Sequence, residues 1–187
     1  GSGFVTPLIS SPVSKGMANI DKKVRSTTIA PNTSPFFGAP AFQDKEMTKP
    51  GVKVEFYNNI DLAGEPSSTY VADKVFLDGS VKEAHEDVEM VNVSSRHTFY
   101  VKPEKDLRYK VHVYGNDGYR LLINGEILSE KWTSTSWQYG YFYMDFKAGN
   151  VYEFVAEQFN ISGSIGLELM FETPLDSDPA TCKTYQE

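Results

Sequence analysis

Between Gly51 and Glu172 apolar and polar residues alternate with a period of two over a series of short runs. Val52, Val54 and Phe56 alternate with Lys53, Glu55 and Tyr57. Phe99 and Val101 alternate with Tyr100 and Lys102, and Tyr109, Val111 and Val113 with Lys110, His112 and Tyr114. Phe142, Met144 and Phe146 oppose Tyr141, Tyr143 and Asp145; Ile165, Leu167, Leu169 and Phe171 oppose Gly166, Glu168 and Met170. Successive side chains of a strand point to opposite faces, so this pattern predicts half-buried strands sharing one core. Turn residues separate the runs: Pro103-Glu104, Gly115-Asn116-Asp117-Gly118, Asn124-Gly125, Ala148-Gly149-Asn150 and Ser162-Gly163. Asn124-Gly125, flanked by Leu121–Ile123 and Ile127-Leu128, predicts a type I′ hairpin, because both central residues of that turn need positive φ. The expected fold is all-β, an antiparallel β-sandwich with a short irregular α/β N-terminal arm.

The flanks follow a different pattern. Residues 1–50 contain Pro7, Pro12, Pro31, Pro35, Pro40 and Pro50, a spacing that breaks long regular elements. Within them Ser11-Pro12 reads as an N-cap followed by proline at the first helical position, predicting a short helix to about Ile20 and then a strand at Val24–Ile29. Ser80-Val81-Lys82-Glu83 fits a capping box, with a short helix running toward Glu89. After Thr173 the alternation is lost, and Asp178-Pro179 again reads as a helix start. A chain that stops there is expected to be a fragment of a longer protein. The resulting division is an arm at 1–50, a sandwich at 51–172 and a tail at 173–187.

Composition narrows the function classes. Of 187 residues, 40% are hydrophobic and 13% aromatic, enough for one well-packed core. The net charge is −7 and the densest basic stretch is the short Lys22-Lys23-Val24-Arg25, which argues against nucleic acid as a partner. No run reaches the roughly 18 apolar residues of a membrane span, so no membrane partner is expected. The single cysteine, Cys182, allows neither an internal disulfide nor a cysteine metal cluster. His85, His97 and His112 lack metal-ligand spacing, and no nucleophile elbow, phosphate loop or His-Glu-x-x-His is present, so no catalytic residue, metal or cofactor is expected. Asn-x-Ser/Thr triplets stand at Asn32, Asn92 and Asn160.

The run from Tyr109 to Trp132 (YKVHVYGNDGYRLLINGEILSEKW) resembles the signature of the protective-antigen-type β-sandwich domain. That signature is an aromatic-rich strand, an acidic-pair turn, a strand ending in an Asn-Gly or Asp-Gly hairpin, and a downstream Trp. The segment Gly51–Pro66 resembles the family's opening strand and loop, and Lys147–Tyr152 its Ala-Gly turn before a long strand. Gly1–Pro7 with Ser11-Pro12 is similar to a strand end and helix start of glycoside hydrolase family 3, in many members of which this domain is inserted just after that point. Two places depart from the family: Asn116-Asp117 stands for the usual Asp-Asp, and Ser95-Arg96-His97-Thr98 for the usual Arg-Trp-Thr-Gly, which removes a core-lining Trp.

The resemblance implies a non-catalytic carbohydrate-binding module inserted in a β-glucosidase-like hydrolase, periplasmic or extracellular, whose loops shape substrate access and chain-length selectivity. The implied partners are an oligosaccharide or glycoside and the catalytic domains of the parent enzyme. Two alternatives stand beside it: an autonomous calcium-assisted lectin or adhesin, and a spacer contacting other protein domains. Candidate ligand contacts are Asn116 and Asp117, which offer hydrogen bonds to hydroxyls, and Tyr119, which offers a ring face or phenol; Asn-Asp-Gly is equally a tight-turn sequence. Sugar rings carry an apolar C–H face that stacks on aromatic rings. In the stretch Trp132, Trp137, Tyr139, Tyr141 and Tyr143, the candidates are Trp137 and Tyr139, which lie in a Ser/Thr/Gln-rich loop, while Trp132 reads as core.

Overall fold

The computed structural model describes residues 39–79 and 90–172. The predicted helices at 12–20 and 80–89, the strand at Val24–Ile29 and the helix start at Asp178 lie outside these residues. Within them there are ten strands: β1 Val52–Tyr57, β2 Ser68–Ala72, β3 Phe76–Leu77, β4 Val93–Val101, β5 Leu107–Asn116, β6 Gly118–Ile123, β7 Glu126–Lys131, β8 Gln138–Phe146, β9 Tyr152–Asn160 and β10 Gly166–Glu172. They form a six-stranded sheet in the order β2-β1-β4-β9-β6-β7 and a four-stranded sheet in the order β3-β10-β5-β8, with every pairing antiparallel. The expected antiparallel β-sandwich is the observed fold. Asn124 (φ 53°) and Gly125 (φ 83°) join β6 to β7, the two positive φ values that the hairpin requires.

The inward positions of the two sheets fill the space between them. Phe99 and Phe154 are neighbours on adjacent strands and stack at 4.8 Å, Phe146 packs on Phe154 at 6.0 Å, and Phe171 meets Phe154 edge-on at 5.6 Å. Phe99, Phe146 and Phe154 are completely buried. The packed unit begins ahead of Gly51: Ala41 is fully buried, and Phe42 exchanges backbone hydrogen bonds with Tyr100 of β4 at 2.9 and 2.7 Å. His97 points into this core at 1% exposure. Its Nε2 lies 2.8 Å from Ser95 Oγ, which accepts a bond from Gln158 Nε2 at 2.9 Å. Burial drives the His97 pKa down to about 3, so the ring is neutral.

On the outer face of the six-stranded sheet, register aligns Glu55, Arg96, Glu157, Arg120 and Glu130 across five strands. Charge alternates at every step. Glu157 receives Arg96 Nε at 2.8 Å and Arg120 Nη1 at 2.7 Å, and Arg120 Nε reaches Glu130 at 2.8 Å. The Arg120 guanidinium also lies 4.0 Å from the centre of the Trp132 ring, which packs at 4.8 Å on Phe159. Gly118, beside Phe159 in register, leaves room for that ring; a Cβ there would fall 2.4 Å from Phe159 Cε2.

Candidate functional site

Three connections converge at one end of the sandwich: the β5–β6 turn at Asn116-Asp117, the β7–β8 loop at Trp132–Trp137, and the β9–β10 loop at Ile161–Ile165. The Asn116–Asp117 peptide is cis. Asp117 ties the connections together: its N–H donates to Phe159 O at 2.7 Å and its Oδ2 accepts from Ile161 N at 2.8 Å. Gln138 Nε2 faces three carbonyls, those of Asp117 (2.9 Å), Lys131 (3.2 Å) and Thr133 (3.1 Å), and so fastens the β7–β8 loop to the same turn. Asn160, fully buried, donates to Met90 O at 2.7 Å and Gly163 O at 3.1 Å, while its Oδ1 has no hydrogen-bond partner among the described residues.

Trp137 is 54% exposed, although it is the last residue before β8. Its six-membered ring rests on Gly166 at the start of β10: a Cβ on Gly166 would stand 2.0 Å from Trp137 Cη2. Asn116 pairs with Gly166 in the sheet and is 7% exposed. The exposed indole thus sits over Gly166, the register partner of the buried Asn116.

Tyr139 is the next outward residue of β8 and is half-buried. Its ring packs at 4.6 Å on Tyr114 and its hydroxyl lies 2.7 Å from His112 Nδ1. His112 Nε2 in turn donates to Glu172 Oε1 at 2.7 Å. Burial lowers the His112 pKa more than Glu172 raises it, so a neutral imidazole passes a hydrogen bond to the carboxylate and accepts one from the phenol. Burial pushes the Tyr139 phenol far above its ordinary pKa. The Glu172–His112–Tyr139 chain therefore holds the Tyr139 ring in one orientation and keeps it uncharged.

The structure does not bring all five sequence candidates to the surface. Asn116, Asp117, Trp137 and Tyr139 gather at this end, but of these only Trp137 is exposed and Tyr139 half-buried; Asn116 and Asp117 are buried at 7% and 8%, and Tyr119 points inward at 0% exposure. Its ring fills the gap over Gly115 and Gly140, where a Cβ would stand 2.7 Å from Tyr119 Cβ and 2.1 Å from its hydroxyl, and that hydroxyl bonds Ser129 Oγ at 2.9 Å. The physical reason is the parity of β6: Tyr119, Leu121 and Ile123 share the core face, and Arg120 takes the outer one. Tyr119 is a packing residue. Sequence reasoning passed over Tyr114 and His112, whose signal is the same outward parity on β5 that Lys110 shows. Among the described residues no group of three or more His, Cys, Asp or Glu side chains gathers to hold a metal ion. What the end of the sandwich offers is an exposed indole and a half-buried phenol, with the turn residues Asn116 and Asp117 buried.

The family described as PA14 domain matches residues 48–169. No curated protein matches the sequence. Among solved structures, an anti-sigma factor domain-containing protein is similar over 66% of this chain and 43% of its own, at 24% identity and a TM-score of 0.59. The β-glucosidase of Kluyveromyces marxianus, solved with glucose, is similar over 82% of this chain at 14% identity and a TM-score of 0.61; this chain spans 19% of its length. The Epithelial Adhesin 9 A domain of Candida glabrata, solved with Galβ1-4GlcNAc, matches 66% of this chain and 82% of its own at 10% identity and a TM-score of 0.51. At these identities the structural likeness establishes the fold alone. With 122 consecutive residues matched by the family model, the chain belongs to the PA14 domain family.

Proposed function

We propose that this PA14 domain is a non-catalytic carbohydrate-binding module of a β-glucosidase-like enzyme of glycoside hydrolase family 3, acting outside the cytoplasm. In this reading residues 51–172 are the inserted module, and residues 1–50 and 173–187 belong to the junctions with the parent. The observation that carries it is the Trp137 indole, 54% exposed and seated on Gly166, the register partner of Asn116. Indole combines a large apolar face with a polar N–H, the combination that a pyranose ring with its C–H face and hydroxyl rim requires. The fold likeness to a β-glucosidase adds support for the parent. The module's task is to wall the parent's active site beyond the cleaved sugar, with Trp137 and Tyr139 stacking and Asn116 or Asp117 supplying hydrogen bonds.

The test is Trp137→Ala in the full-length parent, comparing a disaccharide with a longer oligosaccharide. Loss of one partly exposed stacking contact costs on the order of 1 kcal/mol, so KM for the oligomer should rise about fivefold with kcat unchanged. The disaccharide, which does not reach the wall, should be unaffected. Equal changes for both substrates, or none for either, would put the spacer reading ahead.

A second reading, a calcium-assisted lectin, draws support from the buried, unpartnered Asn160 Oδ1 between the two backbone groups that bind Asp117. Calcium takes six to eight oxygens and its affinity rises with ligand charge. Here Asp117 is the acid of the turn and one of its oxygens already accepts Ile161 N–H. Calorimetry is expected to give calcium affinity weaker than micromolar; a sub-micromolar value would favour the lectin.

A further inference from the structure

The face that carries Trp137 and Tyr139 continues along β8. Its outward residues are Tyr139, Tyr141 and Tyr143, and from Trp137 to Tyr143 the strand advances about 20 Å. Tyr141 is 53% exposed. Tyr139 and Tyr141 have ring centres 6.0 Å apart with planes inclined at 35°, and Tyr141 and Tyr143 are 6.2 Å apart at 89°. Lys110 of β5 holds its ammonium 4.4 Å from the Tyr141 ring centre and 5.7 Å from that of Tyr143. The result is a row of rings of changing tilt along a sheet edge.

The neighbours of these rings say what covers them. In register, Tyr139 lies beside Tyr114, Tyr141 beside His112 and Tyr143 beside Lys110 of β5, and beyond them on β10 follow Glu168, Met170 and Glu172. The cores of protein–protein interfaces are depleted in charge, whereas across these register rows Met170 is the one aliphatic residue and it is 6% exposed. Positive and negative groups are mixed, with Glu172 held by His112 and Asp145 by Arg108, which suits a neutral ligand rich in hydroxyls over an ionic one. Lys131 Nζ takes the Tyr139 carbonyl at 2.8 Å and so guards the β8 edge against an added strand.

We propose that the outer face of β8 binds a single β-linked glucose chain running along the strand, with Tyr139, Tyr141 and Tyr143 as successive stacking positions and the Trp137 ring, which reaches across to Gly166 of β10, at one end of the strip. The proposal rests on the carbohydrate reading above and extends it from one end of the sandwich to a strip longer than a disaccharide. β-Linked glucopyranose, with its substituents equatorial, leaves apolar C–H groups on both ring faces. Rings inclined to one another by 35° and 89° form no flat platform, which mismatches a flat insoluble surface. Tyr139 is fixed in advance by the His112–Glu172 hydrogen bonds, so its ordering is not charged to binding.

The experiment is calorimetry of the 187-residue chain with cellobiose, cellotetraose, cellohexaose and laminarihexaose, together with pull-down on microcrystalline cellulose. Affinity is expected to rise from two to six units for at least one linkage, with no retention on microcrystalline cellulose. Tyr141→Ala should weaken the hexasaccharide about fivefold, the loss of one stacked ring, and leave cellobiose unchanged; Tyr141→Phe should bind like the parent chain. Circular dichroism confirms that both variants are folded. Length-independent affinity, or a hexasaccharide indifferent to Tyr141→Ala but lost with Trp137→Ala, overturns the strip and leaves the end site standing. Binding of none of the four sugars, or retention on microcrystalline cellulose, also overturns it, while the kinetic test of Trp137→Ala in the parent judges the wider reading separately.

Discussion

On the outer face of the six-stranded sheet, Arg96, Glu157 and Arg120 spend their charges on one another, and the Trp132 ring is closed off between Arg120 and Phe159. On the outer face of the four-stranded sheet, Trp137 and Tyr141 each leave more than half of their surface to solvent. Both faces are outward positions of antiparallel strands and both are rich in aromatic and charged residues. They differ in who satisfies whom. The first pairs its charges within the sheet; the second keeps the Trp137 and Tyr141 rings more than half exposed, with the Lys110 ammonium over the Tyr141 ring. A paired charge row stabilises a sheet, while an open aromatic row adds little to stability and is explained by what it meets.

The strongest way to break this contrast is Glu157→Ala. Glu157 is 6% exposed and is shared by two arginines that are themselves 33% and 24% exposed. Removing one partner of a buried pair costs 3–5 kcal/mol, and the arginines' partial access to water discounts this to roughly 3 kcal/mol. Urea unfolding should register that loss, against a change within about 0.5 kcal/mol for the exposed Trp137→Ala. Equal effects for the two variants would erase the distinction between the faces.

The two described histidines sharpen it. His97 lies inside, under the six-stranded sheet, with no acid beside it among the described residues, and burial lowers its pKa from 6.5 to about 3. The unfolded chain therefore binds a proton that the fold refuses, so stability is complete above pH 6.5 and falls as pH drops toward 3. By pH 4.5 the loss should reach roughly 2.5 kcal/mol relative to His97→Gln, which keeps a partner for Ser95 and does not titrate. His112 shifts in the same direction, but Glu172 opposes the shift. His112→Gln should therefore remove less of the pH dependence than His97→Gln, as measured by unfolding at the two pH values.

Trp132→Ala comes next. The ring makes an aromatic pair with Phe159 and covers the Arg120 guanidinium, so its removal should cost roughly 1–2 kcal/mol in the same unfolding assay. A smaller cost than for Trp137→Ala would reverse the assignment of the two tryptophans.

Much of this was legible in the sequence because period-two patterning reports faces directly. The strands around Val52–Phe56, Tyr109–Val113 and Phe142–Phe146, the Asn124-Gly125 hairpin and the aromatic stretch that ends in Tyr143 all follow from it. Parity also held the information that Tyr119 is internal, since Leu121 and Ile123 share its face, but the turn chemistry of Asn116-Asp117 drew attention to its neighbour instead. Register was not legible. Glu55, Arg96, Glu157, Arg120 and Glu130 are scattered over 76 positions of sequence, and only the strand order β1-β4-β9-β6-β7 makes them a row. The same holds for Glu172 and His112, which meet because β10 pairs with β5 in one particular register.

Gly166→Ala carries the smallest expected effect on stability and the most specific one on function. Gly166 lies in β10 and is not among the residues with positive φ, so its backbone accepts alanine without strain. The cost of the added methyl falls on Trp137, whose Cη2 would be 2.0 Å from it. An exposed side chain is able to swing away, so unfolding free energy should stay within about 0.5 kcal/mol of the parent chain. The indole, however, loses its seat. If the seated ring is what a sugar stacks on, Gly166→Ala should weaken oligosaccharide binding about as much as Trp137→Ala, near fivefold. The Trp fluorescence maximum should shift as Trp137 moves, which reports the displacement independently of any ligand. A shifted spectrum with unchanged affinity would mean that the ring's position over Gly166 is incidental, and that the open face binds, if at all, through the tyrosines of β8 alone.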